Sequence, residues 1–514
     1  MAITTFGAID VGSYEIALKI FEISPRIGLR EIDHIRHRIE LGTDTYSTGK
    51  IGYERVEELC AVLRDFSAIM KSYKVDAYKA YGTSAIREAD NTAIVLDQIR
   101  IRTGIQVEVL SNSEQRFLDY KSIASKGEGF QRIIEKGTAI VDIGGGSIQV
   151  SLFDNDSLVT TQNMRLGVLR LREKLQELQS NTAHYEELVE EVISNQLVLF
   201  KKMYVKERTI NNLIIVDDYV SDVLQNPVIC KETPGYIEHD SFMRLAETIE
   251  SRNASYISEK MRIPEERASL LFHSMILIKR MMEILEADLI WAPGVNLCDG
   301  IAYEYAEKNK LITIDHDFEK DIIVCAANIS KRYMGSKRRS DILGNISLTI
   351  FDSIKKVHGL GKRERLLLQI ATLLHDCGKY ISLSNVGECS YSIIMATEII
   401  GLSHQEREII ANVVKYNHLD FEYYPELSQK SNISRETYLI IAKLTAILRL
   451  ANGLDRSHKQ KFRDISAVFH DPQLIISVDT SADITLEKGL LTAKADFFEE
   501  IFSVKPVIRQ KRKS

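Results

Sequence analysis

The sequence predicts an α/β protein with two related lobes, each built on a mixed sheet, followed by a helical domain and a small αβ cap. Three observations predict this architecture. The chain opens with strands that give way to alternating helix and strand, its first motif recurs further on, and amphipathic helices dominate after about residue 310. A chain of 514 residues is too long for one hydrophobic core. We predict four domains, at residues 1–125, 126–310, 311–462 and 463–514.

The first lobe begins with three strand-like stretches, "TTFGAID", "EIALKIFEI" and "LREIDHIRHRIEL", separated by short turns. A helix follows, because apolar residues recur at three- and four-residue steps at Val56, Leu59, Leu63, Phe66 and Met70. The next segments alternate between strand and helix: "DAYKAYGT", "NTAIVLDQIRIRTG", "IQVEVL" and "SEQRFLDYKSIAS". Strands followed by such an alternation describe a mixed sheet with helices packed on its faces.

The second lobe opens with a repeat of the motif that opens the first. "GAIDVGSYEIALKIF" and "AIVDIGGGSIQVSLF" each contain an apolar strand, an aspartate, a glycine-containing turn and a second apolar strand. The two copies share few identical residues, so the repeat is one of supersecondary structure. After about residue 170 the lobe becomes largely helical, with periodic stretches such as "HYEELVEEVISNQLVLFKKMYV" and "PEERASLLFHSMILIKRMMEIL".

The rest of the chain is helical and ends in a mixed segment. "RERLLLQIATLLHDCGKY" and "QEREIIANVVKYNH" predict amphipathic helices of the third domain. The tail from "AVFHDPQLIISVD" onward predicts strands and a helix, which make up the small αβ cap. The final "RQKRKS" predicts a solvated basic end.

Composition and charge favour a cytoplasmic, multidomain protein. The net charge of −6 gives no overall basic field that would attract nucleic acid. Six cysteines without a Cys-x-x-Cys pair indicate a reducing compartment. We expect no signal peptide, because the N-terminus lacks a basic segment followed by an apolar one. We also expect no membrane span, because Lys279 and Arg280 interrupt the longest apolar stretch.

The two turns that follow an aspartate predict an anion site. Glycines let backbone N–H groups approach a phosphate without obstruction by Cβ, and Ser13 and Ser147 add hydroxyl donors. Asp10 and Asp142 would repel a phosphate, so their placement predicts a Mg²⁺ ion between acid and phosphate. The alternative is a pair of tight hairpins without a ligand, because Gly/Ser turns are common. The repeated context of strand, aspartate and turn favours the anion site.

Four ordered motifs carry a resemblance to a known family. "AIDVGSYEIALKIF", "YGTSAIREADN", "VLSNSEQRF" and "VDIGGGSIQVSLF" are similar, in order and spacing, to motifs of the Ppx/GppA family of exopolyphosphatases and guanosine pentaphosphate phosphohydrolases. The resemblance covers essentially the whole chain, with weaker matches at "PEERASLL" and "LCDGI". It implies two actin-like (ribonuclease H-like) lobes followed by an all-α HD-like domain. We also expect a homodimer.

The resemblance implies roles for individual residues. Phosphate would be bound by Arg87, whose planar fork takes two oxygens, and by residues of the two turns: Gly12, Ser13, Gly144, Gly145, Gly146, Ser147 and Gln149. Asp10 and Asp142 would hold Mg²⁺. A glutamate of a Glu-x-Arg element would activate the attacking water, with Asp142 assisting. Hydrolysis of a phosphoanhydride needs little beyond positioning, charge neutralisation and an oriented water.

Three departures from the family pattern bear on catalysis. A gap-free alignment of "VLSNSEQRF" places Gln115 at the catalytic glutamate, whereas deleting one residue aligns Glu114 with the base and Arg116 with the arginine; we favour Glu114. The alternative for Glu114 is a solvated residue in the first turn of a helix. Gln149 stands where the family has glutamate, so it supplies no charge to a metal and takes no proton. The glycine turn that the family has in its second lobe is missing from "LIIVDDYVSDVL". In the first turn, Glu15 either restores a negative charge to the cleft or points away from it.

The helical domain carries an incomplete metal motif. "LLHDCGKY" places His375 and Asp376 on a helix, as at the start of an HD metal site. Residues near the expected positions of further ligands are Arg339, Cys389, Asn417, His418, Asn452 and Asp455. Two ligands alone rarely hold a catalytic metal, and an arginine opposes one, so we predict a structural or substrate-channel role. The run "GSKRRS" at 335–340 is either a basic channel lining or a solvated loop.

We therefore expect a Mg²⁺-dependent hydrolase that removes the terminal phosphate from inorganic polyphosphate or from guanosine pentaphosphate. The alternative is a catalytically impaired family member that binds polyphosphate or an alarmone as a regulatory protein; Gln115, Gln149 and the missing turn favour it. A third possibility, an HD metal phosphohydrolase, requires stoichiometric metal that His375→Ala would remove, and we expect none.

Overall fold

The computed structural model describes most of the chain. The described residues are 3–155, 157–179, 184–217, 219–226, 233–250, 254–261, 265–313, 316–455, 459, 461–462 and 465–511. They form two compact units, Met1–Phe318 and Glu319–Ser514. The four domain boundaries derived from the sequence stay predictions.

The first unit opens with a five-stranded mixed sheet. Its strands are β1 (Thr4–Val11), β2 (Glu15–Ser24), β3 (Gly28–Arg38), β4 (Ala77–Gly82) and β5 (Val107–Val109). The order across the sheet is β3-β2-β1-β4-β5. Strands β1, β2 and β3 pair antiparallel, whereas β4 pairs parallel with β1 and β5 parallel with β4. This sheet confirms the predicted succession of three strands and then alternating helix and strand.

Helices cover this sheet and bury its apolar side chains. They are α1 (Leu41–Thr48), α2 (Tyr53–Ser72), α3 (Ser84–Glu88), α4 (Thr92–Thr103), α5 (Asn112–Ala124) and α6 (Glu128–Ile134). The five apolar residues whose spacing predicted α2 are all buried. They belong to one hydrophobic cluster with inward-facing residues of β1, β2 and β4, such as Ile9, Ile16 and Ala80. Helical periodicity therefore identified the face that forms the core.

A second sheet repeats the topology of the first. Its strands are β6 (Thr138–Ile143), β7 (Ile148–Asp154), β8 (Ser157–Met164), β9 (Asn212–Val216), β10 (Tyr236–Glu238) and β11 (Leu289–Trp291). The order is β10-β11-β9-β6-β7-β8. Strands β6, β7 and β8 pair antiparallel, and β9 and β11 continue parallel from β6. The run β8-β7-β6-β9-β11 thus matches β3-β2-β1-β4-β5, which confirms the repeat predicted from the sequence.

The remaining helices of the first unit surround the second sheet or return to the first. They are α7 (Val168–Gln179), α8 (Tyr185–Phe200), α9 (Val220–Leu224), α10 (His239–Glu250), α11 (Ala254–Met261), α12 (Glu265–Leu285) and α13 (Leu297–Lys308). Helix α8 continues into one π-helical turn, Lys201–Val205. The run of buried apolar residues along α12 joins the cluster around the second sheet.

Helix α13 fixes the position of α5 through a close backbone approach. A Cβ atom on Gly300 of α13 would lie 2.0 Å from the carbonyl oxygen of Leu118 in α5. Only glycine permits this contact, because any side chain there would push the two helices apart. The position of α5 matters because the same helix lines the site described below.

His273 of α12 is a buried neutral histidine that makes stability sensitive to acid. Its Nδ1 donates to the carbonyl oxygen of Ser269 at 2.9 Å, and Nε2 accepts from the hydroxyl of Tyr185 at 3.0 Å. Burial lowers the pKa of His273 to about 4. An unfolded histidine titrates near a pKa of about 6.5, so the unfolded chain binds more protons between these values and stability falls as the pH drops through this window.

We expect this histidine alone to cost about 2 kcal/mol of unfolding free energy between about pH 7.5 and about pH 5. Urea unfolding of wild type and His273→Gln at the two pH values measures the cost, since the variant should lose less stability on acidification. His184→Gln is the matched control, because that side chain is 68% exposed. Equal losses in all three proteins would contradict the prediction.

The second unit contains helices and one small sheet. Its helices are α14 (Phe318–Arg332), α15 (Lys337–Ser353), α16 (Lys355–His358), α17 (Lys362–Leu374), α18 (Val386–Ala396), α19 (His404–His418), α20 (Tyr424–Lys430), α21 (Arg435–Leu454), α22 (Thr485–Leu490) and α23 (Thr492–Phe502). Helix α21 is long and apolar enough to cross a membrane, but 78% of its most apolar window is buried in the protein. The sheet contains β12 (Ile465–His470), β13 (Gln473–Asp479) and β14 (Lys505–Lys511), in that order.

Two local predictions for this unit are corrected. The run "GSKRRS" is not a loop throughout, because α15 begins at Lys337 and Ser336 caps it by accepting from the amide of Arg339 at 3.4 Å. His375 and Asp376 follow the last residue of α17 and do not lie within a helix. The chain turns there because Gly378 packs against α18, where a Cβ would lie 2.3 Å from the carbonyl oxygen of Val386.

Candidate active site

A cleft in the first unit lies where β1 and β6 end. Among the described residues that line it are five carboxylates: Asp10, Glu15, Asp119, Asp142 and Asp217. The same lining contains the turn residues Gly12, Ser13, Gly144, Gly145 and Ser147, together with Ser84, Gln115 and Asn296. In the described chain no lysine, arginine or histidine side chain lines this cleft. An anion can therefore enter only with hydrogen-bond donors and a cation to offset the carboxylates.

The two turns have the same backbone geometry. The amide of Gly12 donates to the carbonyl oxygen of Glu15 at 3.1 Å, and the amide of Gly144 donates to that of Ser147 at 3.0 Å. Glycine is required at position 12 of the first turn, because a Cβ there would lie 2.6 Å from the Glu15 oxygen. Each turn directly follows a strand that carries an aspartate two residues before this glycine.

Helix α7 orients the second turn. The amides of Val168 and Arg170 donate to the carbonyl oxygens of Gly144 and Gly145 at 3.1 and 2.9 Å, and Arg170 Nε donates to that of Gly146 at 2.7 Å. In a trans peptide the N–H points opposite to the C=O. The next three N–H groups, at residues 145–147, therefore point away from α7, and the described part of the chain offers them no acceptor. Consecutive backbone N–H groups in such a turn are donors that a phosphate oxygen can accept from.

A hydroxyl network joins the first turn to α3. Ser13 Oγ lies 2.9 Å from the hydroxyl of Tyr46 and 2.8 Å from Ser84 Oγ, and it accepts from the amide of Ala85 at 3.2 Å. Burial raises the pKa of Tyr46, so its hydroxyl stays protonated. A Cβ on Gly146 would lie 2.1 Å from this hydroxyl, so the glycine lets the second turn approach Tyr46 of α1.

Helix α5 presents Gln115 and Asp119 to the cleft, whereas Glu114 caps the helix. The amide of Ser111 donates to Glu114 Oε2 at 3.0 Å, and the amide of Glu114 donates to Ser111 Oγ at 3.3 Å. This reciprocal pair is a capping box. Gln115 Oε1 accepts from Arg87 Nη1 at 3.5 Å, and the same Arg87 nitrogen donates to the carbonyl oxygen of Leu110 at 2.7 Å.

Gln149 and Arg116 form a buried pair beside the cleft. Arg116 Nε donates to Gln149 Oε1 at 2.9 Å, and Nη1 donates to Thr161 Oγ1. Gln149 lies directly opposite Asp142 in the β6–β7 pair, so the two side chains share one face of the sheet. A neutral amide thus links the buried Arg116 of α5 to β7, the strand that pairs with the one carrying Asp142.

Family comparison agrees with this geometry. The family model described as the Ppx/GppA phosphatase family matches residues 20–309, which is more than half of the 514-residue chain. The chain belongs to the Ppx/GppA phosphatase family. A second model, Ppx/GppA phosphatase domain III, matches residues 324–495. The helical region is therefore the third domain of this family, while its HD-like character stays an interpretation of the sequence.

Relatives in the family carry two kinds of name. A guanosine-5'-triphosphate,3'-diphosphate pyrophosphatase of Vibrio vulnificus is 19% identical over 453 residues, which covers 86% of each chain. Exopolyphosphatase 1 of Mycobacterium tuberculosis is 27% identical over 166 residues, covering 32% of this chain and 47% of the relative. The crystal structure of an Aquifex aeolicus Ppx/GppA family member covers 62% of this chain and 100% of its own at 20% identity, with a TM-score of 0.50. These relatives are hydrolases by name, and the Aquifex structure shows the same fold.

The structure brings most of the predicted site together. Asp10, Gly12, Ser13, Asp142, Gly144, Gly145 and Ser147 all line the cleft. Gly146 and Gln149 lie next to lining residues, and Arg87 contacts the lining residue Gln115. Glu15 lines the cleft as well, in agreement with the alternative in which it restores a charge there.

The structure places Glu114 in the capping box of α5, and its role as the base stays a prediction. Its carboxylate accepts from the amide of Ser111, and it does not line the cleft. Gln115 lines the cleft instead, as the gap-free alignment has it. The physical reason is the helix repeat, since adjacent residues of α5 point about 100° apart and only one of the two can face the turns.

Two cleft carboxylates were missed in the sequence. Asp217 follows β9, in the stretch where the sequence resemblance implied a third glycine turn, and its Oδ1 accepts from the amide of Val220 at 2.6 Å. Its signal was an aspartate directly after a third apolar strand, "LIIVD", as at Asp10 and Asp142. Asp119 lies four residues after Gln115, and this helical spacing was the only signal for it.

The residues that suggested an incomplete metal motif in the sequence surround an arginine in the second unit. Arg339 Nη1 donates to Asp376, Arg339 Nη2 donates to Asn452 Oδ1 at 3.2 Å, and Arg339 Nε lies 4.0 Å from Asp455 Oδ2. His375 Nε2 lies 3.1 Å from Asp376 Oδ2. We call these five residues the Arg339 cluster.

Further contacts enclose the Arg339 cluster. His418 Nε2 donates to the carbonyl oxygen of His375 at 2.7 Å, and Lys379 Nζ donates to Asp376 Oδ2 at 2.9 Å. Burial opposes ionisation of Asp376, but hydrogen bonding and charge from His375, Arg339 and Lys379 outweigh it and lower its pKa. The carboxylate is therefore held ionised by cationic side chains, which favours the predicted structural role.

Proposed function

We propose that this Ppx/GppA protein is a Mg²⁺-dependent hydrolase that releases the terminal phosphate of inorganic polyphosphate or guanosine pentaphosphate. The observation that carries the proposal is the pairing of two Asp–Gly turns in one cleft lined by carboxylates and backbone donors. The names of the relatives supply the two candidate substrates.

The cleft fits Mg²⁺. The donors that would hold the ion are the carboxylates of Asp10 and Asp142, which are hard oxygen ligands. Among the described residues no three acidic, histidine or cysteine side chains converge closely enough to hold a metal by themselves. Mg²⁺ in phosphoryl-transfer sites is bound by one or two carboxylates, water and the substrate phosphates, so a two-carboxylate site is sufficient. When bound, the ion would neutralise charge on the terminal phosphate.

Residues of the chain supply the remaining functions. The N–H groups at 145–147 and the hydroxyl of Ser147 donate to phosphate oxygens, and Ser13 and Ser84 add donors from the first lobe. Arg87 orients the Gln115 amide at the cleft wall. Fixed donors around a transferring phosphoryl group provide the positioning and charge stabilisation that this reaction needs.

Three observations favour a second candidate, a protein that binds polyphosphate or an alarmone without turnover. Gln115 occupies the place of the base, Gln149 replaces a glutamate, and Glu114 caps α5. Amides bind phosphate and water but take no proton.

A product assay separates the candidates and the substrates. The purified full chain is incubated with Mg²⁺ and either polyphosphate or guanosine pentaphosphate, and released phosphate and the remaining chain or nucleotide are quantified. We expect one phosphate released per cleavage and a product shortened by one phosphate. Tight binding of either substrate without phosphate release would support the binding protein and contradict the hydrolase.

A further inference from the structure

We infer that Asp119, not Glu114 or Gln115, is the carboxylate that accepts the proton of the attacking water, an inference that rests on the proposed hydrolytic function. With Glu114 engaged as a helix cap, α5 still presents a carboxylate to the cleft. That carboxylate is Asp119, which is 3% exposed and lines the cleft.

Helix geometry places Asp119 beside the position of the missing base. Residues four apart on a helix lie on the same face, with Cβ atoms about 5–6 Å apart. Gln115 and Asp119 are such a pair, and both line the cleft that contains the two turns. The close packing of α5 against Gly300 fixes this face toward the cleft. A carboxylate therefore lies one helical turn from Gln115 on the same wall of the cleft.

The orientation of Gln115 assigns it a different role. Arg87 is a donor only, so the group of Gln115 at 3.5 Å from Arg87 Nη1 is its carbonyl oxygen. Its NH₂ is then the remaining polar group. An NH₂ group donates to a phosphate or water oxygen and takes no proton. Gln115 therefore positions the phosphate or the attacking water. A neighbouring carboxylate must accept the proton of that water.

The other cleft carboxylates have different positions. Asp10 and Asp142 stand in equivalent places before the two turns, where a cation would be held. Asp217 Oδ1 accepts from the amides of Tyr219 and Val220, which ties it to the start of α9. Glu15 lies at the start of β2 with Arg36 Nε 3.9 Å from its Oε1. Asp119 is the cleft carboxylate on the helix that carries the base element.

The step balances without a further reactant. A water oxygen attacks the terminal phosphorus and forms the new P–O bond while the bridging P–O bond breaks. The bridging oxygen leaves with the bonding electron pair on the shortened chain. The water proton passes to Asp119 Oδ, and it is returned to product phosphate or solvent, which regenerates the carboxylate.

Kinetics of Asp119→Asn test this assignment. We expect kcat to fall at least about a hundredfold, with KM changed less than about threefold. In the plot of kcat/KM against pH, the decline at acidic pH should disappear. Glu114→Gln is the matched control on the same helix, because glutamine also serves in a capping box, and it should keep activity within about threefold of wild type. Circular dichroism melting checks that both variants fold.

The outcomes distinguish this inference from the proposed function. An active wild type with an equally active Asp119→Asn would overturn the role of Asp119 and leave the hydrolase intact. No phosphate release by wild type from either substrate would overturn the hydrolase itself. If Asp119→Asn does not fold, Asp119→Glu decides. A shift of the acidic limb in its plot of kcat/KM against pH supports Asp119 as the base. An acidic limb at the same pH as in wild type overturns that role.

Discussion

Asp142→Asn should lower the rate of phosphate release about a hundredfold to a thousandfold while leaving the fold intact. Asp142 lines the cleft at the end of β6, and its neighbour across the β6–β7 pair is already a neutral amide, Gln149. Asparagine has nearly the same shape as aspartate but carries no charge. The variant therefore removes one of the two carboxylates that are predicted to hold Mg²⁺. Without that charge, cation and phosphate bind more weakly in the same cleft.

The matched control for this variant is Asp154→Asn. Asp154 lies at the end of β7 in the same sheet, but its side chain is 39% exposed and 3.7 Å from Arg208. We expect wild-type rates from this control in a phosphate-release assay at saturating Mg²⁺. Rates of Asp142→Asn and Asp154→Asn within about threefold of each other would show that Asp142 is not part of the active site.

Arg339→Ala should destabilise the second unit by about 3 kcal/mol or more. Arg339 is 13% exposed and donates to Asp376 and Asn452, with Asp455 at 4.0 Å. Removing the guanidinium leaves buried carboxylates with less compensating charge, and such a loss costs far more than the pair contributed on formation. Chemical unfolding of the full chain, followed by circular dichroism, measures the effect.

Arg365→Ala is the matched control for this loss. Arg365 pairs with Asp352 at 2.8 Å in the same unit, but the two side chains are 38% and 53% exposed. Exposed pairs contribute about 0.2–1 kcal/mol, so the control should lie near wild type. An Arg339→Ala variant no less stable than Arg365→Ala would mean that the Arg339 cluster has no structural role.

Local patterns predicted the architecture well because they report directly on local structure. The aspartate and glycine turn that opens each lobe lies between two strands in both copies, and the strand orders of the two sheets match. The apolar spacing of α2 identified its buried face. Both predictions rest on residues close in sequence, whose geometry is set by the period of a strand or a helix.

Alignment to a family motif left the choice between Glu114 and Gln115 open, because alignment does not determine helix rotation. Glu114 and Gln115 are adjacent, and about 100° of rotation separates a capping residue from a cleft residue. The sequence did contain a signal for the position of Glu114: Ser111 followed three residues later by Glu114 is a capping-box pattern. Only the packing of α5 against α13 shows which face meets the turns.

The Arg339 cluster lay beyond sequence prediction for another reason. Arg339 meets Asp376 and Asn452 across 37 and 113 residues of chain. No local period connects such distant residues, so the sequence indicated only that a metal site was incomplete. The structure adds that the arginine itself supplies the positive charge among these carboxylates.

Metal dependence of phosphate release tests the central claim most directly, namely that this carboxylate-lined cleft hydrolyses phosphoanhydrides. The full chain is assayed with polyphosphate and with guanosine pentaphosphate across a Mg²⁺ titration and in EDTA, with melting temperature measured in parallel. We predict a rate that saturates with Mg²⁺ and vanishes in EDTA while the melting temperature of the substrate-free protein shows that the fold persists. Equal release in EDTA, or no release of phosphate from either substrate at any Mg²⁺ concentration, would contradict the account.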